Sequence, residues 1–100
     1  MSHRLLEISD ELTEKLNGIS IGEPVTHVYR PLVYARQLHE QYVEKFGTDT
    51  PRENILVGMN PGPWGMGQTG VPFGDVDYVG DWMAIDGEVG KPDDEHPKRP

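Results

Sequence analysis

The sequence contains no cysteine. Within these 100 residues this excludes a disulfide framework, a thiolate nucleophile, an iron–sulfur cluster and a cysteine-ligated zinc site. The histidines could still bind a metal, but their positions show no spacing typical of metal ligands. They are His3, His27, His39 and His96. We therefore expect no metal site.

Basic residues are scarce. Nine Lys and Arg stand against 17 Asp and Glu, which gives a net charge of −8. Binding to nucleic-acid phosphates depends on clustered Lys and Arg. The excess of acidic residues therefore argues against this chain binding nucleic acid by itself. The acidic runs are expected to be solvated.

Long apolar runs are also missing. No run approaches the ~20 residues that span a bilayer, so we expect no membrane segment. The first residues, Met1–Arg4, lead into an amphipathic pattern and not into a signal peptide. These absences predict an intracellular protein, cytoplasmic and nucleoid-associated in a bacterium, or nuclear in a eukaryote.

What is present divides the chain into two halves. Hydrophobic residues make up 35% of the 100 residues, enough for one small domain. There are 12 glycines and 9 prolines, and most of them lie in residues 51–100. The first half has the composition of ordinary helix-forming sequence, so the two halves are expected to do different work.

Apolar residues three and four positions apart predict two helices. The first covers residues 4–19 and ends at Asn17-Gly18. The second starts at Pro31 and closes at Gly47. Between them, residues 25–29 form a short β-branched stretch. The apolar stripes are Leu5, Ile8, Leu12, Leu16 and Ile19 in the first helix and Ala35, Leu38, Tyr42 and Phe46 in the second.

Residues 55–59 form a continuous apolar run that predicts a strand buried on both faces, as in a parallel α/β sheet. Residues 60–74 follow as a Gly- and Pro-rich loop that also holds large apolar side chains, which is typical of a pocket wall. Ligands of open α/β sheets bind at the carboxyl ends of the strands. Asp75 is expected to cap a further helix with three apolar residues inward, namely Val76, Val79 and Met83.

Gly65, Gly67 and Gly70 match the G-x-G-x-x-G pattern of dinucleotide-binding proteins. That pattern needs a strand, a tight turn and a helix in immediate succession. Here five residues separate the apolar run from Gly65, and residues 71–74 cannot continue a helix. A nucleotide-binding α/β enzyme is therefore the weakest of the alternatives.

Residues 58–74 read Gly-Met-Asn-Pro-Gly-Pro-Trp-Gly-Met-Gly-Gln-Thr-Gly-Val-Pro-Phe-Gly. This segment resembles the first catalytic motif of the single-strand-selective monofunctional branch of the uracil-DNA glycosylases. Residues 29–35 and 95–100 also resemble that family. The resemblance runs from about Val25 to Pro100, and the first helix carries no signature of it.

The resemblance implies a three-layer α/β/α sandwich around a parallel sheet, of which residues 1–100 would be the N-terminal part. It implies hydrolysis of the N-glycosidic bond of uracil and 5-substituted uracils in single- or double-stranded DNA, the first step of base-excision repair. No cofactor is implied, and the full-length protein would be a monomer. The expected parts are helix and turn (1–24), helix and buried strand (25–59), catalytic loop (60–74), and helix and irregular tail (75–100).

The resemblance also assigns residues to the site. Asn60 occupies the position that orients the attacking water, although by itself an Asn here could simply start an Asx-turn. The backbone at Met59 would border uracil O2. Phe73 would stack on the flipped base, or else anchor the core.

Gly62 stands where uracil-restricted relatives carry a bulky aromatic residue, so a substrate such as 5-hydroxymethyluracil would fit. The alternative is a glycine required for positive φ. Met66 would line and support the same loop. Lys98 and Arg99 are candidate DNA-phosphate contacts.

The chain also departs from the family pattern. It lacks the later Asn that would read the Watson–Crick edge of uracil, the second motif with its catalytic His, and the helical wedge that enters DNA. We therefore expect these 100 residues alone to be inactive. A truncated, non-catalytic module of the same fold remains an alternative.

Overall fold

The computed structural model describes residues 3–92 and 95–97. Four α-helices and one π-helical turn make up its regular structure. They are α1 (His3–Asn17), α2 (Pro31–Tyr34), α3 (Arg36–Phe46), α4 (Met66–Thr69) and the π-helical turn (Tyr78–Trp82).

The predicted first helix is confirmed as α1, which ends at Asn17. Its apolar stripe remains half-exposed, because α1 is fastened to the rest of the chain mainly by polar contacts. Ser9 and the His39 Nε2 atom lie 2.9 Å apart in a hydrogen bond. Arg36 of α3 donates to both carboxylate oxygens of Asp10. Polar contacts of this kind fix the orientation of α1 more than they bury apolar surface.

The predicted second helix is present but interrupted. Pro31 starts α2 as expected, and the chain leaves helical geometry at Ala35, where φ is −107° and ψ is 30°. The Ala35 N–H still donates to the Pro31 carbonyl, and α3 then runs to Phe46. Ala35 is fully buried, so the break lies where the two short helices turn around the interior.

The core is small and lies beside α3. It consists of Leu38 from α3, Val71 from the Gly-rich segment, Val79 from the π-helical turn, and Ile85. Partly buried Tyr42 and Met83 pack against it. The predicted stripe of the second helix is thus correct for Ala35 and Leu38 and in part for Tyr42, and Val79 is buried as expected. Phe46 is exposed instead, and the buried Val43 lies outside the predicted stripe.

The expected α/β class, a three-layer α/β/α sandwich around a parallel sheet, is wrong for the described residues, which contain no strand. Residues 55–59 have no regular structure, and Leu56 is 79% exposed and Met59 94% exposed. No described backbone group hydrogen-bonds to this segment. A β-strand requires a neighbouring strand whose backbone groups complete its hydrogen-bond ladder. An apolar run indicates a tendency to be buried but supplies no such neighbour.

The stretch at residues 25–29 likewise forms no strand. The expected helix after Asp75 is reduced to a short turn. Asp75 does cap it, since the Tyr78 N–H donates to the Asp75 carboxylate at 2.7 Å. Val79 and Met83 face inward, but Val76 is exposed.

Within the described residues, no helix has the length and apolar character needed to cross a membrane.

Candidate functional site

An open groove of about 790 Å³ lies between residues 56–60 and the rest of the Gly-rich loop. Its lining is mostly apolar, and Asp75 is the one acidic residue among the described residues that line it. Five residues singled out from the sequence line this groove together: Met59, Asn60, Gly62, Met66 and Phe73. Apolar walls with a few polar groups are typical of small-molecule and base-binding sites.

Phe73 forms the rim of the groove opposite Gly58. A Cβ atom on Gly58 would lie 3.3 Å from the Phe73 ring, so the ring covers the Gly58 backbone closely. The Phe73 side chain is 65% exposed and its φ is 58°. A bulky residue at positive φ costs about 1–3 kcal/mol and is concentrated at ligand-binding sites. The alternative of a core anchor does not agree with this exposure.

Asn60 is exposed in the groove, and its carboxamide has no hydrogen-bond partner among the described residues. An Asx-turn would require a hydrogen bond from this side chain to the nearby backbone, and none is present there. The carboxamide is therefore available to bind a water or a ligand with both its acceptor and its donors.

Three side chains hold the loop by donating to the carbonyls of three of its glycines. The Tyr34 hydroxyl donates to the Gly67 carbonyl. The His39 Nδ1 atom lies 3.0 Å from the Gly70 carbonyl. Since a carbonyl only accepts, Nδ1 carries the proton in this bond.

The third donor lies within the loop itself. The Thr69 hydroxyl donates to the Gly74 carbonyl at 2.7 Å and accepts from the Val71 N–H at 3.2 Å. Thr69 is buried, so these bonds satisfy a hydroxyl that would otherwise be desolvated without a partner. Together the three donors fix the inner side of the loop and leave its outer side facing the groove.

Two glycines of the loop are required by close approach to a backbone carbonyl. A Cβ atom on Gly67 would lie 2.6 Å from the Gly62 carbonyl oxygen, which accepts the Gly67 N–H at 2.8 Å. Gly70 ends α4 in the left-handed region, with φ 71°, against the Ala35 carbonyl. Gly62 differs from both. It lies outside the left-handed region, and a Cβ there would meet nothing closer than 4.0 Å.

Met66 connects the groove to a second cavity. It lines the groove and also an apolar cavity of about 360 Å³ between α1 and the loop. Leu12 and Leu16 of α1 and Pro61 of the loop contribute to that cavity. Met66 thus lies behind the groove floor, where an unbranched thioether side chain fills irregular space.

The clearest electrostatic effect lies away from the groove, between α1 and α3. Hydrogen bonding to Arg36 lowers the pKa of Asp10 below its usual value. Within residues 3–92 and 95–97, no three His, Cys, Asp or Glu side chains are arranged to hold a metal. The groove therefore offers hydrogen bonding, stacking and apolar contact as its means of binding.

Two predicted site residues, Lys98 and Arg99, lie outside the described residues. Sequence reasoning missed Tyr34, His39 and Thr69, which hold the loop. Tyr34 and His39 lie 33 and 31 positions before their carbonyl partners, and no local pattern could have revealed them. Thr69 precedes a glycine at the end of α4, which is the one local signal of a turn-forming hydroxyl.

No protein-family model matches the chain. Three curated relatives match it strongly, and all are named single-strand selective monofunctional uracil-DNA glycosylase. The Rattus norvegicus protein is 45% identical over 100 residues, which is 100% of this chain and 36% of the relative. The Mus musculus protein is 44% identical over the same span.

The Bos taurus protein is 46% identical over 89 residues, 89% of this chain and 32% of the relative. The chain thus spans about a third of the length of these relatives. Across that span it is a homologue of the N-terminal part of the single-strand selective monofunctional uracil-DNA glycosylases, and the resemblance seen in residues 58–74 is confirmed.

Proposed function

We propose that this chain supplies the base-binding part of a monofunctional DNA glycosylase. The enzyme would hydrolyse the bond between N1 of uracil and C1′ of deoxyribose, adding water across it, and so start base-excision repair. The observation that carries the proposal is that five residues of segment 58–74 line one groove in a chain 44–46% identical to proteins named as glycosylases.

In this proposal the target base leaves the strand and enters the groove, as base-modifying enzymes require. Phe73 stacks on the base with its exposed ring, a contact worth ~1–3 kcal/mol. The backbone at Met59 borders uracil O2, where negative charge develops as the base departs. A donor placed there stabilises the transition state more than the ground state.

The Asn60 carboxamide orients the attacking water. Its oxygen accepts a hydrogen bond from that water, and one lone pair of the water oxygen is left facing C1′. A carboxamide is too weak a base to take a proton in the ground state. This suits a reaction in which uracil departs first as an anion and the water then adds to a cationic sugar.

Gly62 supports acceptance of uracils with small 5-substituents. No Cβ occupies this part of the groove, and a Cβ would meet little there. We propose that Gly62→Phe retains uracil excision but lowers excision of 5-hydroxymethyluracil by about 10²-fold, because the added ring fills the space of the substituent. Single-turnover rates on the two bases test this when the substitution is made in a full-length glycosylase that carries this chain as its N-terminal part, and equal losses on both bases would refute it.

A chimera tests the proposed activity most directly. This chain would replace the matching 100 residues of the Rattus norvegicus relative, and release of uracil from a single-stranded oligonucleotide would be measured. We expect excision by the chimera. Asn60→Ala should slow it by about 10²- to 10³-fold. Asn54→Ala, a matched exposed Asn outside the groove, should leave the rate unchanged.

Full activity of the Asn60→Ala chimera would overturn the assignment of that residue. An inactive chimera that is folded by circular dichroism would favour a non-catalytic module instead. The chain by itself serves as a further arm, for which we expect base binding without excision. The expected compartment, cytoplasmic in bacteria or nuclear in eukaryotes, stays a prediction.

A further inference from the structure

A recess of about 340 Å³ lies beside the loop and is lined by two basic side chains, Arg30 and Lys91. Asn17 and Tyr34 also line it, and none of its described lining residues is acidic. This is unusual in a chain with a net charge of −8. The recess therefore combines two cations and a carboxamide donor with no competing carboxylate in its lining.

Arg30 has an unsatisfied donor. Its Nε atom is buried and has no hydrogen-bond partner. A buried donor without an acceptor is costly, and each such group in a protein calls for an explanation such as an absent ligand. The guanidinium presents its donors as a planar fork that matches the oxygens of a phosphate. The Nε atom itself is enclosed by protein, so it is the part of the guanidinium lining the recess that is available to an anion with two acceptor oxygens.

Several other basic side chains already have partners. Arg4 pairs with Glu7, and Arg36 pairs with Asp10 and Glu40. The Lys45 ammonium and the Arg52 guanidinium donate to backbone carbonyls. Arg30 and Lys91 have no such partner in the described part of the chain, so their charges remain available to an outside anion.

The recess is connected to the candidate site. Arg30 also lines the apolar cavity that contains Pro61 and Met66 of the loop. Tyr34 lines the recess and donates to the Gly67 carbonyl. Among the residues that the structure describes, the groove is lined by Asp75 and by no cation. A strand whose base lies in the groove therefore needs its phosphates neutralised from beside the groove.

We propose that Arg30 and Lys91 bind a backbone phosphate of the DNA strand whose base enters the groove. The inference rests on the proposed function for the identity of the strand. The guanidinium of Arg30 donates to two phosphate oxygens, and the ammonium of Lys91 adds a second positive charge. Such contacts position a strand without reading its sequence.

The test measures binding of the 100-residue chain to a fluorescein-labelled single-stranded oligonucleotide of roughly 15 nucleotides with one central uracil. Fluorescence anisotropy is recorded from about 20 to 200 mM salt. Arg30→Gln should weaken binding about 5- to 10-fold at low salt and reduce the slope of log K against log salt by about 0.7. Lys91→Gln should reduce the slope similarly. Arg30→Lys should keep the slope but lose affinity, because it keeps the charge and loses the fork.

Arg4→Gln is the matched control. It removes the same charge from an exposed ion pair at the far end of α1 and should change affinity less than twofold. Single methylphosphonate linkages, which neutralise one phosphate each, are then moved along the strand. When the methylphosphonate lies at one position near the uracil, Arg30→Gln should no longer weaken binding, because the phosphate charge that Arg30 contacts is already removed.

Equal losses for Arg30→Gln and Arg4→Gln would overturn the proposal, since net charge alone would explain them. A penalty unaffected by any methylphosphonate would overturn it too, as would absence of binding at the lowest salt. An oligonucleotide with thymine in place of uracil separates the two proposals. If the Arg30 effect persists but uracil gives no advantage, the phosphate site stands and the proposed base site fails.

Discussion

One buried imidazole joins α1, α3 and the loop. The His39 ring uses both nitrogens: Nδ1 donates to the Gly70 carbonyl, and Nε2 accepts from the Ser9 hydroxyl. Because the carbonyl fixes the proton on Nδ1, the neutral ring can only accept at Nε2. A single residue thus sets the distance between the helix pair and the loop that borders the groove.

Two amide substitutions separate these bonds. The amide nitrogen of Asn lies near the position of His Nδ1, and that of Gln lies near Nε2. We expect His39→Asn to keep the hydrogen bond to the Gly70 carbonyl and to lower the free energy of unfolding by less than about 1 kcal/mol. His39→Gln should leave that carbonyl unpaired and lower the free energy of unfolding by ~1–3 kcal/mol. Urea denaturation gives the energies, and the Val71 amide shift reports the Gly70 carbonyl. If the Val71 amide resonance moves further in the Asn variant than in the Gln variant, this assignment is contradicted.

Gly70 gives a sharper residue-scale prediction. Its φ of 71° and its contact with the Ala35 carbonyl leave no room for a side chain. We expect Gly70→Ala to destabilise the chain by about 1–3 kcal/mol. Gly80→Ala is the matched control, since a Cβ there meets nothing within 4 Å and should be neutral or slightly stabilising. Thermal unfolding followed by circular dichroism compares the two, and similar melting temperatures would refute the argument.

At the scale of elements, α1 depends on a charged contact for its placement. The pKa of Asp10 is lowered by its hydrogen bond to Arg36. The pKa of Asp10 in the folded state lies below its unfolded value of ~3.9. The stability that the contact with Arg36 provides is therefore fully present above pH ~3.9, and it is lost as the pH falls through the lowered pKa. Docking of α1 should therefore weaken only in acid.

Asp10→Asn should remove part of the difference in stability between neutral and acidic solution. The urea midpoint of the variant should be lower than that of the parent at pH 7 and should approach it in acid, as the pH falls through the lowered pKa of Asp10. Asp77→Asn, at an exposed aspartate with no ion pair among the described residues, should follow the parent at both values. An Asp10 variant whose deficit persists unchanged in acid would show that the carboxylate charge is not the cause.

The elements also show what the sequence could and could not predict. The helices α1 and α3 follow from apolar periodicity, which is a local property. The break at Ala35 does not, because it depends on burial of that residue. The strand prediction for residues 55–59 is wrong for a related reason. Composition indicates that a segment can be buried, while pairing depends on a distant partner.

The candidate site divides in the same way. The motif in residues 58–74 brought the groove-lining residues together because they are close in sequence and carry a recognisable pattern. The donors Tyr34 and His39 act across about thirty residues and have no such pattern. The recess lined by Arg30 and Lys91 is also non-local, since these two residues meet only in the fold. The loop could be predicted, but the residues that hold it could not.

At the scale of the whole molecule, the core and the wall of the groove differ in how much they contribute to the free energy of unfolding. The core lies beside α3, and the wall of the groove at residues 55–59 is exposed along its length. Segments with few buried contacts contribute little to global stability and are the ones that open or move first. Stability should therefore depend on the α3 side of the molecule and be nearly independent of residues 55–59.

Two leucines test this distribution with the same chemical change. Leu38 is 7% exposed in the core, and Leu56 is 79% exposed at the groove. Leu38→Ala removes buried methyl groups and should cost about 2–5 kcal/mol, a large share of the ~5–15 kcal/mol that stabilises a typical domain. Leu56→Ala should stay within about 0.5 kcal/mol of the parent. Urea unfolding followed by circular dichroism measures both, and a loss of more than about 2 kcal/mol in the Leu56 variant would mean that residues 55–59 are packed in solution.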